Sequence, residues 1–183
     1  MPEDNLIEQL LTASTQRSAF QKLVETYQER LYWHIRKIVI SHSDADDVLQ
    51  NVFIKVWKNL DSFRGDSSLY TWLFRIATNE SLTFLSQQKR RSVFNESFNN
   101  DYLSEQLKSD ENIDGTAIQK MLQQAILTLP DKQRLVFNMK YFDDIKYNEM
   151  SEILETSVGA LKASYHHAVK KIEEYFKNNE LNS

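Results

Sequence analysis

Apolar residues recur at spacings of three and four along most of the chain, the repeat that lines one face of an α-helix. Leu6, Leu10 and Leu11 open the pattern, and Phe20, Leu23, Val24, Tyr27, Leu31, Ile35 and Ile38 continue it. This stripe predicts helices over residues 3–39, with Thr15 or Ser18 beginning the second. Val48, Leu49, Val52, Phe53, Val56, Trp57 and Leu60 line the buried face of the next helix. Asp44, Asp46 and Asp47 stand in its first turn, where negative charge suits the positive end of the helix dipole. Asp46, Asp47, Gln50, Asn51, Lys55 and Lys58 fall on the opposite side, which faces solvent or a partner. A break, SFRGDSS at residues 62–68, follows; Gly65 supplies backbone freedom, and Asp66, Ser67 or Ser68 can cap what comes next. That helix turns Leu69, Trp72, Leu73, Ile76 and Ala77 inward, with Tyr70, Phe74, Arg75, Thr78 and Asn79 elsewhere on its circumference. It runs on to three consecutive cations, Lys89, Arg90 and Arg91.

Residues 93–117 lose the helical repeat and gain Asn, Asp, Glu and Ser, a composition that reads as a flexible acidic linker. Periodicity returns with Ile118, Met121, Leu122, Ala125, Ile126 and Leu129, and Pro130 stops or redirects that helix. Leu135, Val136, Met139 and Tyr141 mark the next. Residues 147–154 then read as a short helix, Glu155, Thr156 and Ser157 as a tight turn, and Val158 onward as a second helix with Ser157 as its N-cap. Two helices across a three-residue turn, the second carrying lysines and histidines, predict a helix-turn-helix. Ala160, Leu161, Ala168, Val169 and Ile172 are its expected packing residues.

Composition narrows the class. Three glycines and two prolines in 183 residues are few for a chain that must turn between strands. The fold class is therefore all-α: two small helical domains, at 1–92 and 118–183, joined by the linker at 93–117. No cysteine occurs, so neither disulfides nor thiolate chemistry enter. No apolar run is long enough to cross a bilayer, and the opening MPEDNLIEQLL lacks the basic start of a secretory signal. The expectation is a cytoplasmic protein without membrane insertion. The formal net charge is −4. Residues 1–92 are at +1, 93–117 at −5 and 118–183 at zero, so the acidic excess lies wholly in the linker. The four histidines, His34, His42, His166 and His167, form no chelating set, because adjacent residues of a helix point about 100° apart. With no phosphate-cradling glycine loop and no nucleophile placed beside a base, the chain reads as a non-enzyme without metal or cofactor.

The wording of the central stretch is more specific than its periodicity. D-x-x-Q-x-V-F-x-K-V-W at residues 47–57, S-F-R-G-x-S-S at 62–68 and T-W-L-x-R-I-A-x-N at 71–79 closely resemble region 2 of bacterial RNA polymerase sigma factors, in their compact extracytoplasmic-function (ECF) group. L-P-x-x-Q-R-x-V-F at residues 129–137, ahead of the helix-turn-helix, resembles region 4. The two occur in the family's order with a linker between them.

The resemblance implies an alternative sigma factor that binds core RNA polymerase and directs promoter recognition, melting and initiation. Its partners would be the clamp helices and flap of the polymerase, promoter DNA and an anti-sigma factor. Asp47, Gln50, Asn51 and Lys55 are the implied polymerase contacts; relatives usually carry an acid where Asn51 stands. Phe63, Arg64, Ser67 and Ser68, in the loop resembling the melting region, and Tyr70, Arg75, Asn79, Lys89 and Arg90 are the implied −10 DNA contacts. Trp72 reads as core rather than base stack, and the terminal cations also suit a helix C-terminus. Ser157, Lys162, Tyr165, His166 and Lys170 are the implied −35 contacts; many relatives carry arginines on this helix and this chain has none. The implied linker threads through the polymerase near its active centre. Two other readings fit a helical chain of this kind: a dimeric helix-turn-helix regulator that binds DNA without polymerase, and a helical adaptor that touches no DNA.

Overall fold

The structure, a computed structural model, describes residues 2–93 and 116–180. It contains α1 (Pro2–Leu11), α2 (Gln16–Val39), α3 (His42–Lys58), a 3₁₀ turn (Leu60–Ser62) and α4 (Leu69–Val93). After residues 94–115 come α5 (Ala117–Leu127), α6 (Asp131–Tyr141), α7 (Tyr147–Leu154) and α8 (Val158–Glu180). No strand occurs among the described residues, and the fold is all-α as expected. Most of the predicted acidic linker lies outside the described residues. The chain divides into two compact units, Met1–Ser86 and Gln87–Ser183.

In the first unit α2 is the central helix, packed on α1 and α3. Leu23, Leu31, Ile35 and Ile38 of α2, Val48, Val52 and Val56 of α3, and Leu69, Leu73 and Ala77 of α4 form the core. Each of these leucine, isoleucine and valine side chains contributes roughly 1.5–3 kcal/mol by leaving water. Ser41 caps α3, its hydroxyl accepting from the Asp44 amide, and Ser68 caps α4 by accepting from the Thr71 amide at 3.1 Å. Gly65 has φ +74°, the conformational freedom expected of it.

Several helical faces are wider or narrower than the periodicity predicts. Phe74 and Thr78, expected off the buried side of α4, are fully buried because α4 also packs on α2, with the His34 ring 4.8 Å from Phe74. Leu11 and Trp57, expected in buried stripes, are exposed. Trp57 keeps one edge on Phe20, ring centres 4.9 Å apart, and leaves the rest of its indole to solvent.

In the second unit α5, α6 and α7 all pack on α8. Ala125, Ile126, Leu129, Phe137, Ala168 and Ile172 make one cluster. Thr116 and Gln119 cap α5 reciprocally, the Thr116 amide donating to Gln119 Oε1 at 2.8 Å. The turn between α7 and α8 is the predicted one: Glu155 takes the left-handed conformation, and Ser157 Oγ accepts from the Ala160 amide at 3.3 Å. Leu161, Ala168 and Ile172 are buried as expected, whereas Ala160 is exposed, on the outward side of the first turn of α8. Tyr141 is likewise exposed, one of its faces stacked on Phe137. Arg134 is buried inside this unit; burial pushes its guanidinium down from its ordinary value, and Asp131, 2.9 Å away, works against that.

Candidate nucleic-acid and protein interfaces

The polar face of α3 is built by helical phase. Asp47, Gln50, Asn51 and Lys58 are all exposed on one side, and residue 54 falls between them at the same period. That position is Ile54, 52% exposed. Its spacing of three and four from Asn51 and Gln50 is the sequence signal that places an apolar residue on this polar face. An isoleucine surrounded by carboxylate and amide groups makes a surface with one apolar contact point and several hydrogen-bonding ones. Lys55, expected on this face, is ion-paired with Glu80 of α4 and so ties the two helices together.

The loop after α3 and the outer side of α4 form a second surface. Ser68, Trp72, Arg75 and Asn79 recur at four, three and four residues, so they line one edge of α4. Arg64, Ser68 and Asn79 are exposed, while Ser67 and Arg75 are half-buried. The Arg75 Nε is buried and has no hydrogen-bond partner, which leaves this guanidinium with capacity for an acceptor. Phe63 is placed differently from Arg64. It is 7% exposed and packs on Trp72, ring centres 5.0 Å apart, so it props the loop from beneath. Tyr70 lies on the α2 side of α4, its ring 4.1 Å from Phe74 and covered by the Arg30 guanidinium at 4.9 Å. The structure thus separates Tyr70 from the Arg75–Asn79 edge. Lys89 and Arg90 stand exposed in the last turns of α4.

The third surface is the outward side of α8. Ser157, Gly159, Ala160, Lys162, Ala163, His166, His167 and Lys170 are exposed. Small residues fill its first two turns, so another molecule can approach the helix backbone closely. Lys162 lies over the Tyr147 ring at 5.8 Å, and Lys140 lies over the same ring at 5.8 Å. Burial, with Tyr165 nearby, holds the Tyr147 phenol above its ordinary value against the opposing effect of Lys140. Tyr165 is only half-exposed and stacks on Phe137, ring centres 5.7 Å apart, as part of the core wall.

Among the described residues no group of three or more His, Cys, Asp or Glu is arranged to hold a metal ion. No helix among them is long and apolar enough to cross a membrane.

These surfaces have counterparts in known proteins. Residues 23–91 match sigma-70 region 2, and residues 119–172 match sigma-70 region 4. The ECF RNA polymerase sigma-E factor of Escherichia coli K12 is 30% identical over 181 residues, covering 93% of this chain and 94% of that protein. Its counterpart in Haemophilus influenzae is 28% identical, with coverage of 93% and 95%. CnrH, solved with the cytosolic domain of CnrY, superposes with a TM-score of 0.69 at 24% identity, covering 96% and 97% of the two chains. The sigma factor RpoE of Bartonella quintana, solved with the anti-sigma factor NepR, gives 0.64 at 21% identity, with coverage of 86% and 96%; both likenesses are of fold. The helix-turn-helix, the loop at residues 62–68 and the α3 face all fall inside the matched regions, and the chain belongs to the ECF group of RNA polymerase sigma factors, the alternative sigma factors that direct transcription initiation.

Proposed function

We propose that residues 1–92 dock on core polymerase and capture the −10 element, and that residues 118–183 hold the −35 element, the acidic segment 93–117 spanning between them. The observation that carries this reading is the edge Ser68–Trp72–Arg75–Asn79 beside the exposed Arg64, with an unsatisfied Arg75 Nε. A base leaving a duplex needs polar edges to pair with and a phosphate partner to hold its strand. Asn79 and the Ser67 and Ser68 hydroxyls supply the edges, Arg64 and Arg75 hold the strand, and Phe63 and Trp72 stiffen the loop. Lys89, ion-paired with Asp131 at 2.8 Å, and Arg90 are the further phosphate contacts that the resemblance implies. Tyr70 contributes by packing under Arg30.

The α3 face of Asp47, Gln50, Asn51 and Ile54 takes the polymerase clamp helices, with Lys55 holding α3 to α4. The −35 unit contacts the flap and lays α8 in the major groove. Ser157, Lys162, His166 and Lys170 face the DNA there, and Tyr165 shapes the helix from its inner side. Ala160 and Ala163 suit thymine methyl groups, the apolar feature of that groove. Each DNA-facing part is close to neutral, so the free chain binds DNA weakly and acquires promoter specificity only on polymerase. The protein works in the cytoplasm and is held by an anti-sigma factor, as RpoE is by NepR in the solved complex.

Run-off transcription tests this reading. Core polymerase from the source bacterium, with fragmented genomic DNA, yields new transcripts only when the chain is added, and their upstream sequences define both promoter elements. A chain that retards DNA without polymerase and gives no transcripts is an ordinary helix-turn-helix regulator instead.

A further inference from the structure

Three contacts fix how α2 lies against α4. Arg30 covers Tyr70, the His34 ring meets Phe74, and His34 Nε2 is 2.9 Å from Thr78 Oγ1. Residue numbers rise together along the two helices, so they run side by side in the same direction, with Trp33 and His34 level with residues 74–78. The core residues Leu31, Ile35 and Ile38 of α2, and Leu69, Leu73 and Ala77 of α4, lie on one side of this seam. At 100° per residue, Trp33 and Lys37 turn to the other side of α2, and Arg75 and Asn79 to the same side of α4. Arg30 closes the end of the seam over Tyr70. One outer face of the helix pair therefore carries Arg30, Trp33, Lys37, Arg75 and Asn79.

Trp33 is the feature of this face that the −10 reading leaves unused. It is 51% exposed, an unusual position for an indole on a helix that is otherwise the centre of a core. Its ring is not loose: Tyr32 meets it edge-on at 5.4 Å, and Tyr32 is itself stacked on His42 and hydrogen-bonded to His42 Nδ1. Within one turn of Trp33 on either side α2 carries Arg30, Arg36 and Lys37 against the single acid Glu29, so the surroundings of the indole are net cationic. A fixed, exposed indole between cations has the chemistry of a stacking platform for unpaired nucleic acid, which presents bases and phosphates in alternation.

We propose that Trp33 stacks on an unpaired base of the promoter strand immediately downstream of the segment held by Arg75 and Asn79, with Arg30 and Lys37 neutralising its phosphates. Upstream of the −10 element the DNA is still duplex, so a single strand leaving α4 continues only downstream. This inference rests on the −10 reading of α4 and lengthens the strand that the first unit holds.

The test uses holoenzyme assembled from core polymerase and the full chain, with a promoter taken from the run-off transcripts. Two fork-junction DNAs are compared, both duplex upstream. The non-template strand of one stops at the last −10 position; that of the other continues for about six more nucleotides. Wild-type holoenzyme binds the longer fork more tightly, and Trp33→Ala removes about tenfold of that affinity while leaving the shorter fork unchanged. Trp33→Phe, which keeps an aromatic face, retains most of the gain. Equal binding of both forks by wild type, or an equal loss on both by Trp33→Ala, overturns the proposal. So does a Trp33→Ala chain that binds both forks normally but fails to bind a protein partner, since the indole is then a protein-docking residue. A wild-type holoenzyme with no preference for the promoter over unrelated duplex would instead sink the −10 reading itself.

Discussion

His34 Nε2 lies 2.9 Å from Thr78 Oγ1, and that hydroxyl in turn donates to the Phe74 carbonyl at 2.7 Å. With the threonine proton committed to the carbonyl, the histidine nitrogen is the donor. Two buried polar side chains thus join the central helix of the first unit to the helix carrying Arg75 and Asn79. Thr78→Val keeps the shape and deletes the hydroxyl that accepts from the buried His34 Nε2–H. Urea denaturation should show a loss of about 1–3 kcal/mol. Thr78→Ser, which retains the hydroxyl, should lose less.

Ile40 holds the sharpest backbone feature of the first unit. The Ser41 amide donates to the Val39 carbonyl at 2.9 Å across it, closing a γ-turn with φ +69° at a β-branched residue. Such a conformation stores roughly 1–3 kcal/mol. Ile40 is also buried, so truncation removes packing. Glycine ordinarily costs about 0.5–1 kcal/mol more than alanine. At this position the order should invert, with Ile40→Gly more stable than Ile40→Ala by thermal or urea unfolding.

The α3 face makes a prediction about assembly. Ile54→Ala should weaken polymerase binding severalfold without altering the unfolding midpoint, because the side chain is half in solvent. Asn51→Asp should tighten binding by up to about tenfold, as a charge-assisted hydrogen bond replaces a neutral one. Titrating labelled chain with core polymerase measures both. Weakened binding by Asn51→Asp would mean that this face meets no basic partner.

On α8, Lys162 is steadied by the Tyr147 ring and points outward. Lys162→Gln should weaken promoter binding by holoenzyme equally for all −35 sequences and reduce the slope of log affinity against log salt by about one. A change confined to one −35 sequence would assign Lys162 to a base edge instead.

Much of this molecule is legible in its sequence, for identifiable reasons. The helix-turn-helix boundaries follow from residues with strong local preferences: Ser157 caps α8, and the three-residue turn leaves no room for another register. The Ser68 cap and the positive φ of Gly65 announce themselves in the same way. Ile40 does not, since nothing in its residue type signals positive φ and only the surrounding packing imposes it. Phe63 and Tyr165 illustrate a second limit. Each sits among residues that face outward, and only the tertiary contacts with Trp72 and Phe137 turn it inward. The exposed Ile54 and the buried Phe74 mark a third, because helical periodicity gives a face but not how many neighbours cover it.

The central claim is that the loop at residues 62–68 and the outer edge of α4 open the promoter, separately from the α3 face that docks on polymerase. Arg64→Ala and Asn79→Ala chains, assembled with core polymerase on a promoter from the run-off transcripts, should form holoenzyme as wild type does. Permanganate probing of unpaired thymines should then show the −10 region open with wild type and closed, or open at least tenfold more slowly, with each variant. Normal opening by both variants would contradict the account, as would a failure of either to bind polymerase.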